Sequence, residues 1–266
     1  MVEFQDADLR GSRFRNVHLG GTQFRHVDMS EAELRGVLLR AVVMRGVELI
    51  DVDIEGEVRG LTVNGVEVGA YVEAELDRRQ PERRLMRPAD AAGFRLAWET
   101  LEKLWEGTVA RARRLPPERL HESVGGEWSF IETLRHLVFA SEAWVLRAVL
   151  GDPAPWHPLS LPWDEMPDAD GVPRDREARP TLDEMLAVLG ERRATVRAVI
   201  WQQTDESLDR TVEPVEGPGW PEPYAFPVRE CLQVVLNEEY QHRLYAERDL
   251  EALGPTPSGE PVAYAP

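Results

Sequence analysis

Two histidines and one glutamate have the residue types and spacing to hold a metal ion. Glu238 and His242 lie four residues apart, so on a helix both side chains project from one face. His136 lies in a second apolar segment, between Leu134 and Leu137. Burial of an uncompensated charge is unfavourable, and a divalent metal is one compensation. Two histidines and a carboxylate would leave coordination positions open for water or a thiolate.

The same spacing also has a simpler interpretation. Glu238 and His242 could form a buried hydrogen-bonded pair while His136 is satisfied by another group, and the spacing alone favours this pair over a metal site. Cys231, on the same apolar stripe, is predicted to be a buried apolar filler rather than a ligand. A polar face at four-residue spacing is predicted to meet solvent or loops: Gln233, Asn237 and Gln241.

Four segments with helical periodicity must position these residues. Their predicted bounds are about 93–115, 129–150, 181–203 and 228–253. The second and third begin at the capping boxes Ser129-x-x-Glu132 and Thr181-x-x-Glu184. His136 therefore belongs to the second helix, and the Glu/His pair to the fourth.

Two long loops, rich in proline, connect these helices. The loop between the second and third helices contains His157 and Trp163, which could line a substrate entrance, although loop residues of these types are more often incidental. The other loop, residues 214–227, precedes the fourth helix. Loops of this length in a compact domain are usually functional or flexible.

A repeat with a period of five occupies residues 2–56. A smaller side chain stands two positions before each large apolar residue of the repeat. The large residues are Phe4, Leu9, Phe14, Leu19, Phe24, Met29, Leu34, Leu39, Met44, Leu49 and Ile54. A helix would turn such residues to different angles, and a strand would alternate their faces. The period instead predicts stacked coils that turn a corner every five residues and point these side chains inward.

This pattern resembles the pentapeptide-repeat family, with close matches to its A(D/N)LXX consensus at Ala7-Asp8-Leu9 and Ala32-Glu33-Leu34. The resemblance implies a short right-handed quadrilateral β-helix with four repeats per coil. Such a stack needs a cap, and residues 61–68, which alternate around an Asn-Gly turn, are predicted to supply it. We expect a scaffold or dimerisation module, since a fold does not by itself imply a function.

Charge and composition limit the classes of partner. The net charge of −17 disfavours nucleic acids and anionic membranes. Acidic residues outnumber arginines by only three within residues 1–60, which also disfavours topoisomerase protection by DNA mimicry. No apolar run reaches the ~20 residues of a membrane helix, and no secretory signal is evident, so a cytoplasmic protein is expected. The single cysteine excludes a four-cysteine zinc site.

The helical part resembles the DinB/YfiT superfamily over about residues 93–253. The resemblance rests on Gly126-Glu127-Trp128-Ser129, Leu134-Arg135-His136-Leu137, Cys231, Glu238-Glu239-Tyr240-Gln241-His242 and Ala246-Glu247-Arg248-Asp249-Leu250. It implies a four-helix bundle whose metal ligands are His136, Glu238 and His242. The last pair is commonly two histidines, so Glu238 departs from the usual pattern. The mycothiol-dependent maleylpyruvate isomerase branch is similar in using His, Glu and His on zinc.

The resemblance implies a divalent-metal-dependent enzyme, with zinc as the expected metal and nickel or manganese as alternatives. Relatives carry out S-transfers or isomerisations with a low-molecular-weight thiol such as mycothiol or bacillithiol, on small-molecule substrates. No catalytic base is apparent, so catalytic residues are not assigned. The alternative is a non-catalytic scaffold with a degenerate metal site. A homodimer is expected in either case.

The sequence therefore predicts a mixed β and α chain in two modules. Its predicted divisions are a capped β-helix over 1–72, a linker over 73–92, a four-helix bundle over 93–254 and a tail over 255–266.

Overall fold

The computed structural model describes residues 2–254. The chain divides into two compact units, Met1–Glu57 and Val58–Pro266. The predicted tail, 255–266, lies outside the described residues. Within the described part of the chain, no helix combines the length and the apolar character needed to cross a membrane.

The first unit repeats one backbone conformation at every fifth residue. The φ angle is positive at residues 6, 11, 16, 21, 26, 31, 36, 41, 46, 51 and 56. Glycine and, less readily, asparagine and aspartate adopt this left-handed conformation, and several of these positions carry them. Three corners are closed by 3.1 Å backbone hydrogen bonds, such as that from Ser12 N–H to the carbonyl of Leu9. The period of five in the sequence is therefore a period of turns in the chain.

The predicted inward packing of the repeat is not seen in residues 2–57. The large apolar side chains of the repeat are between 43% exposed, at Leu9, and 66% exposed, at Leu34. No strand is assigned in this part of the described chain. Backbone hydrogen bonds between neighbouring coils would hold them about 4.8 Å apart, and at that spacing their side chains would form inner columns. Without such bonds, nothing fixes this spacing. Residues 2–57 therefore do not show the closed core, and the β-helix stays a prediction.

The second unit begins with the predicted hairpin. Strand β1 (Thr62–Val63) pairs antiparallel with β2 (Val66–Glu67). Asn64 and Gly65 connect them with φ angles of 50° and 81°, as a tight two-residue hairpin turn requires. That the hairpin caps the repeats stays a prediction.

The segment predicted as a linker is mostly helical. Helix α1 (Gly69–Arg79) is followed by a 3₁₀ helix (Pro81–Met86). The Tyr240 hydroxyl donates a hydrogen bond to Oε1 of Gln80, and Nε2 of Gln233 donates one to the carbonyl of Met86. These bonds tie the segment to the last long helix of the same unit.

Four long helices form most of this unit. They are α2 (Ala91–Ala112), α3 (Phe130–Ser141), α4 (Leu182–Gln202) and α6 (Val228–Leu253). Shorter elements are α5 (Asp205–Leu208) and a 3₁₀ helix (Pro117–His121). A π-helical segment, Glu142–Val149, continues α3 directly. Both predicted capping boxes are formed, at Ser129 and Thr181.

Two apolar clusters hold the long helices together. One includes Trp98 on α2, Val196 on α4 and Leu236 on α6. The other includes Leu134 on α3 and Leu250 on α6. The second cluster also includes Trp105 of α2 and Met185 of α4, so it packs α3 and α6 together within the bundle. The candidate ligands lie on these two helices.

Candidate metal centre

His136, Glu238 and His242 lie together between α3 and α6. Each offers one ligand atom, and the three atoms all lie within 4.8 Å of one another. Oε2 of Glu238 is 3.3 Å from Nε2 of His136 and 3.0 Å from Nε2 of His242. The structure therefore brings together the three residues that the sequence singled out, although 102 residues separate His136 from Glu238.

The orientation of His136 is set by the loop that follows its helix. Nδ1 of His136 lies 3.0 Å from the carbonyl oxygen of Leu161. A carbonyl oxygen can only accept, so Nδ1 carries the proton and, in the neutral ring, Nε2 presents a lone pair. That lone pair faces a carboxylate oxygen of Glu238. Two acceptors that face each other need a cation between them, either a proton or a metal ion.

Burial and contact act in opposite directions on the ionisation of this cluster. Burial lowers the pKa of His136, which favours the neutral ring. Burial would raise the pKa of Glu238, but its contacts with His136 and His242 outweigh this effect and hold the pKa below its ordinary value. Glu238 is thus an ionised carboxylate beside imidazole nitrogens, which is the protonation state that a metal ligand requires.

The rotation of α6 about its axis is fixed by the residue next to Glu238. Glu239 is buried and accepts two hydrogen bonds from Arg193 of α4, at 2.9 and 2.6 Å. Its backbone carbonyl accepts a bond from Nε1 of Trp105 at 3.3 Å, and the guanidinium of Arg193 stacks over the Trp105 ring. With Glu239 held against α2 and α4, Glu238 is left to face α3.

Trp128, the residue before the α3 capping box, packs against both histidines. Its ring centroid lies 4.6 Å from that of His136 and 5.8 Å from that of His242, nearly parallel to the latter. Its indole Nε1–H donates to Oδ1 of Asp164 on the long loop, at 3.3 Å. Trp128 therefore covers one side of the cluster.

A cavity of about 250 Å³ lies on another side of the cluster, with His136 and Glu238 at its polar end. Trp163 lines it, as the sequence suggested. His157 does not line the cavity. Its ring Nδ1 accepts a hydrogen bond from the backbone N–H of Leu159, and its backbone N–H donates one to the carboxylate of Glu142. The side chain of Glu238 is 31% exposed and that of His136 only 8%. Solvent therefore reaches the cluster more readily from the Glu238 side.

Comparison with protein families decides the classification of the chain. The family model of the DinB superfamily matches residues 100–246, more than half of the chain. The chain belongs to the DinB superfamily. Pentapeptide repeats match residues 3–40 in eight copies, so the predicted fusion of the two families is confirmed. No curated protein and no solved structure matches the chain.

The donor atoms of this DinB domain fit a divalent metal, which members of the superfamily usually bind. Ligands at about 2.1 Å from a tetrahedral zinc lie ~3.4 Å from one another. The distances from Oε2 of Glu238 to the two histidine nitrogens, 3.3 and 3.0 Å, are close to that value. Histidine ligands typically donate their other ring N–H to a carboxylate or a backbone carbonyl, as His136 does to the carbonyl of Leu161.

Two buried side chains hold the loop that carries Leu161 on the DinB domain. Nε of Arg135 donates to the carbonyl of Leu159 at 2.9 Å, and a second nitrogen donates to that of Asp175. The Leu161 N–H donates to the carbonyl of Arg135 at 3.2 Å. Glu142 accepts bonds from Ser160 and from Arg192 of α4, the latter at 2.8 Å. The carbonyl that orients His136 is therefore anchored from both sides.

The cysteine and the polar face of the last helix, for which the sequence predicted no ligand role, lie apart from the metal cluster. Cys231 is buried, and burial raises its thiol pKa to about 12, so it is not a thiolate at neutral pH. Gln233 bonds to Asn237 and to the helix Pro81–Met86, while Asn237 and Gln241 are exposed.

Four aromatic residues lie around the site although the sequence did not predict a place for them there: Trp128, Phe139, Trp144 and Trp220. For Trp128, the available signal was its position directly before a capping box. For Trp220, it was a tryptophan within a proline- and glycine-rich loop.

Proposed function

We propose that the DinB domain is a divalent-metal-dependent enzyme domain with His136, Glu238 and His242 as its ligands. The observation that carries the proposal is the pair of facing acceptors, Nε2 of His136 and Oε2 of Glu238, 3.3 Å apart. The proton on the other ring nitrogen is committed to Leu161. A buried His–Glu pair would need a protonated imidazole, which burial of His136 disfavours, so the geometry favours the metal over the simpler pair.

Zinc is the metal proposed, with nickel and manganese as alternatives, because two imidazoles and one carboxylate are a common zinc donor set. When bound, the metal would act as a Lewis acid that lowers the pKa of a coordinated water or thiol. Leu161 orients His136, and Arg193 with Glu239 orients α6. Trp128 excludes water from one side, so a small molecule would enter from the cavity.

A low-molecular-weight thiol, such as mycothiol or bacillithiol, is the proposed cosubstrate, in an S-transfer or isomerisation. Support comes from the superfamily assignment and from a three-residue ligand set, which leaves a position for a thiolate. Cys231 cannot take that role, because its thiol is buried and protonated. The nucleophilic sulfur would therefore come from solution.

The proposal includes the architecture of both units. Four long helices around shared apolar clusters support a four-helix bundle. The turn at every fifth residue supports a right-handed quadrilateral β-helix for the repeats, which would act as a scaffold or dimerisation module in a homodimer. A cytoplasmic location belongs to the proposal, and the single cysteine is consistent with a reducing compartment.

Metal content tests the proposal directly. The full chain, purified and then reconstituted with zinc, is expected to hold about one ion per chain by elemental analysis. His136→Ala and His242→Ala should each lose it, while His18→Ala, a histidine in the repeats, should retain it. Circular dichroism confirms that each variant is folded. A folded wild-type chain that takes up no zinc, nickel or manganese would overturn the proposal and favour a non-catalytic scaffold.

The thiol is tested on cobalt-substituted protein. Addition of mycothiol or bacillithiol is expected to produce a thiolate-to-cobalt charge-transfer band, and His242→Ala, which should hold no cobalt, should show none. A cobalt-loaded protein whose spectrum does not change with either thiol would rule out coordinated thiol while leaving the metal site in place.

A further inference from the structure

The wall of the cavity beside the candidate ligands is almost entirely aromatic. Away from His136 and Glu238, it is formed by Phe139, Trp144, Trp163 and Trp220, with Ala140 and Val234 between them. Phe139 is on α3, Trp144 is on the π-helical segment, and the other two tryptophans come from the two long loops. Four separate parts of the chain thus place a ring at one cavity, and the three tryptophans are only partly buried.

The rings pack on one another as well as on the cavity. The Trp163 centroid lies 6.2 Å from that of Phe139, at an interplanar angle of 65°, and 5.0 Å from that of Trp220, at 76°. Both are edge-to-face arrangements, which are favourable for aromatic pairs. A ring wall that is already in contact with itself is organised before a ligand arrives, which reduces the entropy lost on binding.

The loop that carries Trp220 is held in place by a buried arginine. Arg147 donates to the carbonyls of Val215 and Gly217, at 3.0 and 2.9 Å, and to that of Pro153 on the other long loop, at 2.6 Å. This side chain therefore fastens both loops to the helix that bears Trp144. The aromatic wall is supported by the fold rather than carried on free loops.

The charge around the cavity discriminates among ligands. Among the described residues that line it, none is an arginine or a lysine, so an anionic group on a ligand could pair with the metal at the His136 and Glu238 end but with no cationic side chain along the aromatic wall. A ligand cation could be attracted to the ring faces. However, it would lie beside the bound metal, whose positive charge opposes it.

We infer that this cavity binds an aromatic ring system and holds its neutral or anionic polar substituent at the His136 and Glu238 end. A cavity of about 150 Å³ is large enough to hold benzene, so about 250 Å³ holds one or two fused rings. The inference rests on the proposed function in that the substituent meets the metal. It specifies the substrate class as flat and aromatic, with no charge apart from the substituent at the metal, rather than a small dicarboxylate.

Three probes with one ring system test the inference. Calorimetric titration of the zinc-loaded full chain with 2-naphthol, 2-naphthoate and 2-naphthyltrimethylammonium compares neutral, anionic and cationic forms of one shape. We expect 2-naphthol and 2-naphthoate each to bind with one site per chain and at least roughly tenfold more tightly than the trimethylammonium probe, whose charge the metal opposes. Equal or tighter binding of the trimethylammonium probe, or no binding of 2-naphthol to folded protein, would overturn the inference.

Substitutions locate the bound ring. Trp163→Ala and Trp220→Ala should each weaken 2-naphthol about tenfold, since each removes one face of the wall. Trp201→Ala is the matched control, because Trp201 lies on α4 beneath the guanidinium of Arg197, at 3.9 Å, and does not line the cavity. An equal loss in all three variants would show that the ring binds elsewhere.

Metal content, measured on the same samples, separates the two proposals. Binding of 2-naphthol that depends on Trp163 and Trp220, in a chain that takes up no metal, would overturn the proposed function and keep the aromatic site. A chain with about one zinc that does not bind 2-naphthol would keep the metal site and overturn the aromatic inference.

Discussion

His136 and Leu161 join α3 to the loop beyond it through a 3.0 Å hydrogen bond from a ring nitrogen to a backbone carbonyl. This bond fixes which nitrogen of His136 faces Glu238. The orientation of the His136 ring therefore depends on the position of the loop as well as on helix α3. Residues that hold the loop should therefore influence metal affinity without touching the metal.

Arg135→Lys is expected to weaken metal binding while the fold is retained. A lysine has a single ammonium group and cannot reach both Leu159 and Asp175 as the guanidinium does. We expect the dissociation constant for zinc to rise by about 10- to 100-fold, as for other changes to the groups that orient metal ligands. Competition with a chromophoric chelator measures this constant. Arg179→Lys, an exposed arginine of the same loop, should leave the constant unchanged. Equal affinities in both variants would contradict the dependence on the loop.

Trp128→Ala is expected to speed the removal of the metal by a chelator. The indole ring that covers His136 and His242 is lost, so water and chelator reach the cluster from a second side. We expect the rate of zinc removal by EDTA to rise about two- to tenfold, followed by stopped-flow absorbance. Trp201→Ala controls for the loss of a tryptophan elsewhere; the same acceleration there would argue against a covering role for Trp128.

Glu239→Ala is expected to destabilise the second unit by about 3–5 kcal/mol, because it leaves the partly buried guanidinium of Arg193 without its carboxylate. Urea unfolding followed by tryptophan fluorescence measures this unit alone, since all eight tryptophans lie between residues 98 and 220. Glu251→Ala, an exposed acid on the same helix, should change the unfolding free energy by less than about 0.5 kcal/mol. A similar small change for Glu239→Ala would mean that the pair does not fix α6.

Cys231 is expected to give the second unit a specific sensitivity to alkali. Burial raises the pKa of this thiol from 9.0 to about 12 in the folded chain. The unfolded chain therefore loses the proton first, and the stability contributed below pH 9 is lost as the pH rises towards 12. The unfolding free energy should fall more steeply than in Cys231→Ala, by about 1.4 kcal/mol per pH unit. Parallel pH profiles for the two proteins would refute this.

The helices were predictable because their ends are determined locally. The capping boxes at Ser129 and Thr181 place the starts of α3 and α4, and the last helix was predicted over about 228–253, where α6 lies. Helical spacing also placed Glu238 and His242 on one face. The spacing could not bring His136 to them; that expectation came from the family resemblance.

The remaining features of the site depend on contacts between distant segments. Trp220 meets Trp163 where Arg147 bonds to both of their loops, and periodicity carries no information about such bonds. Similarly, the period of five predicted the turns of the repeat, but inner packing requires bonds between coils, which a repeat length does not specify.

The left-handed turn at every fifth residue of the repeats also restricts how this segment can change in length. Deletion of one residue near the start would move the following residues into the turn positions, and these are mostly β-branched: Val17, Thr22, Val27, Val37, Val42, Val47 and Val52. A positive φ is a steric outlier for such side chains. A single missing residue would therefore strain most of the later corners at once, whereas loss of five would strain none. The repeat segment should consequently gain or lose residues only in multiples of five, as a reading frame does in threes.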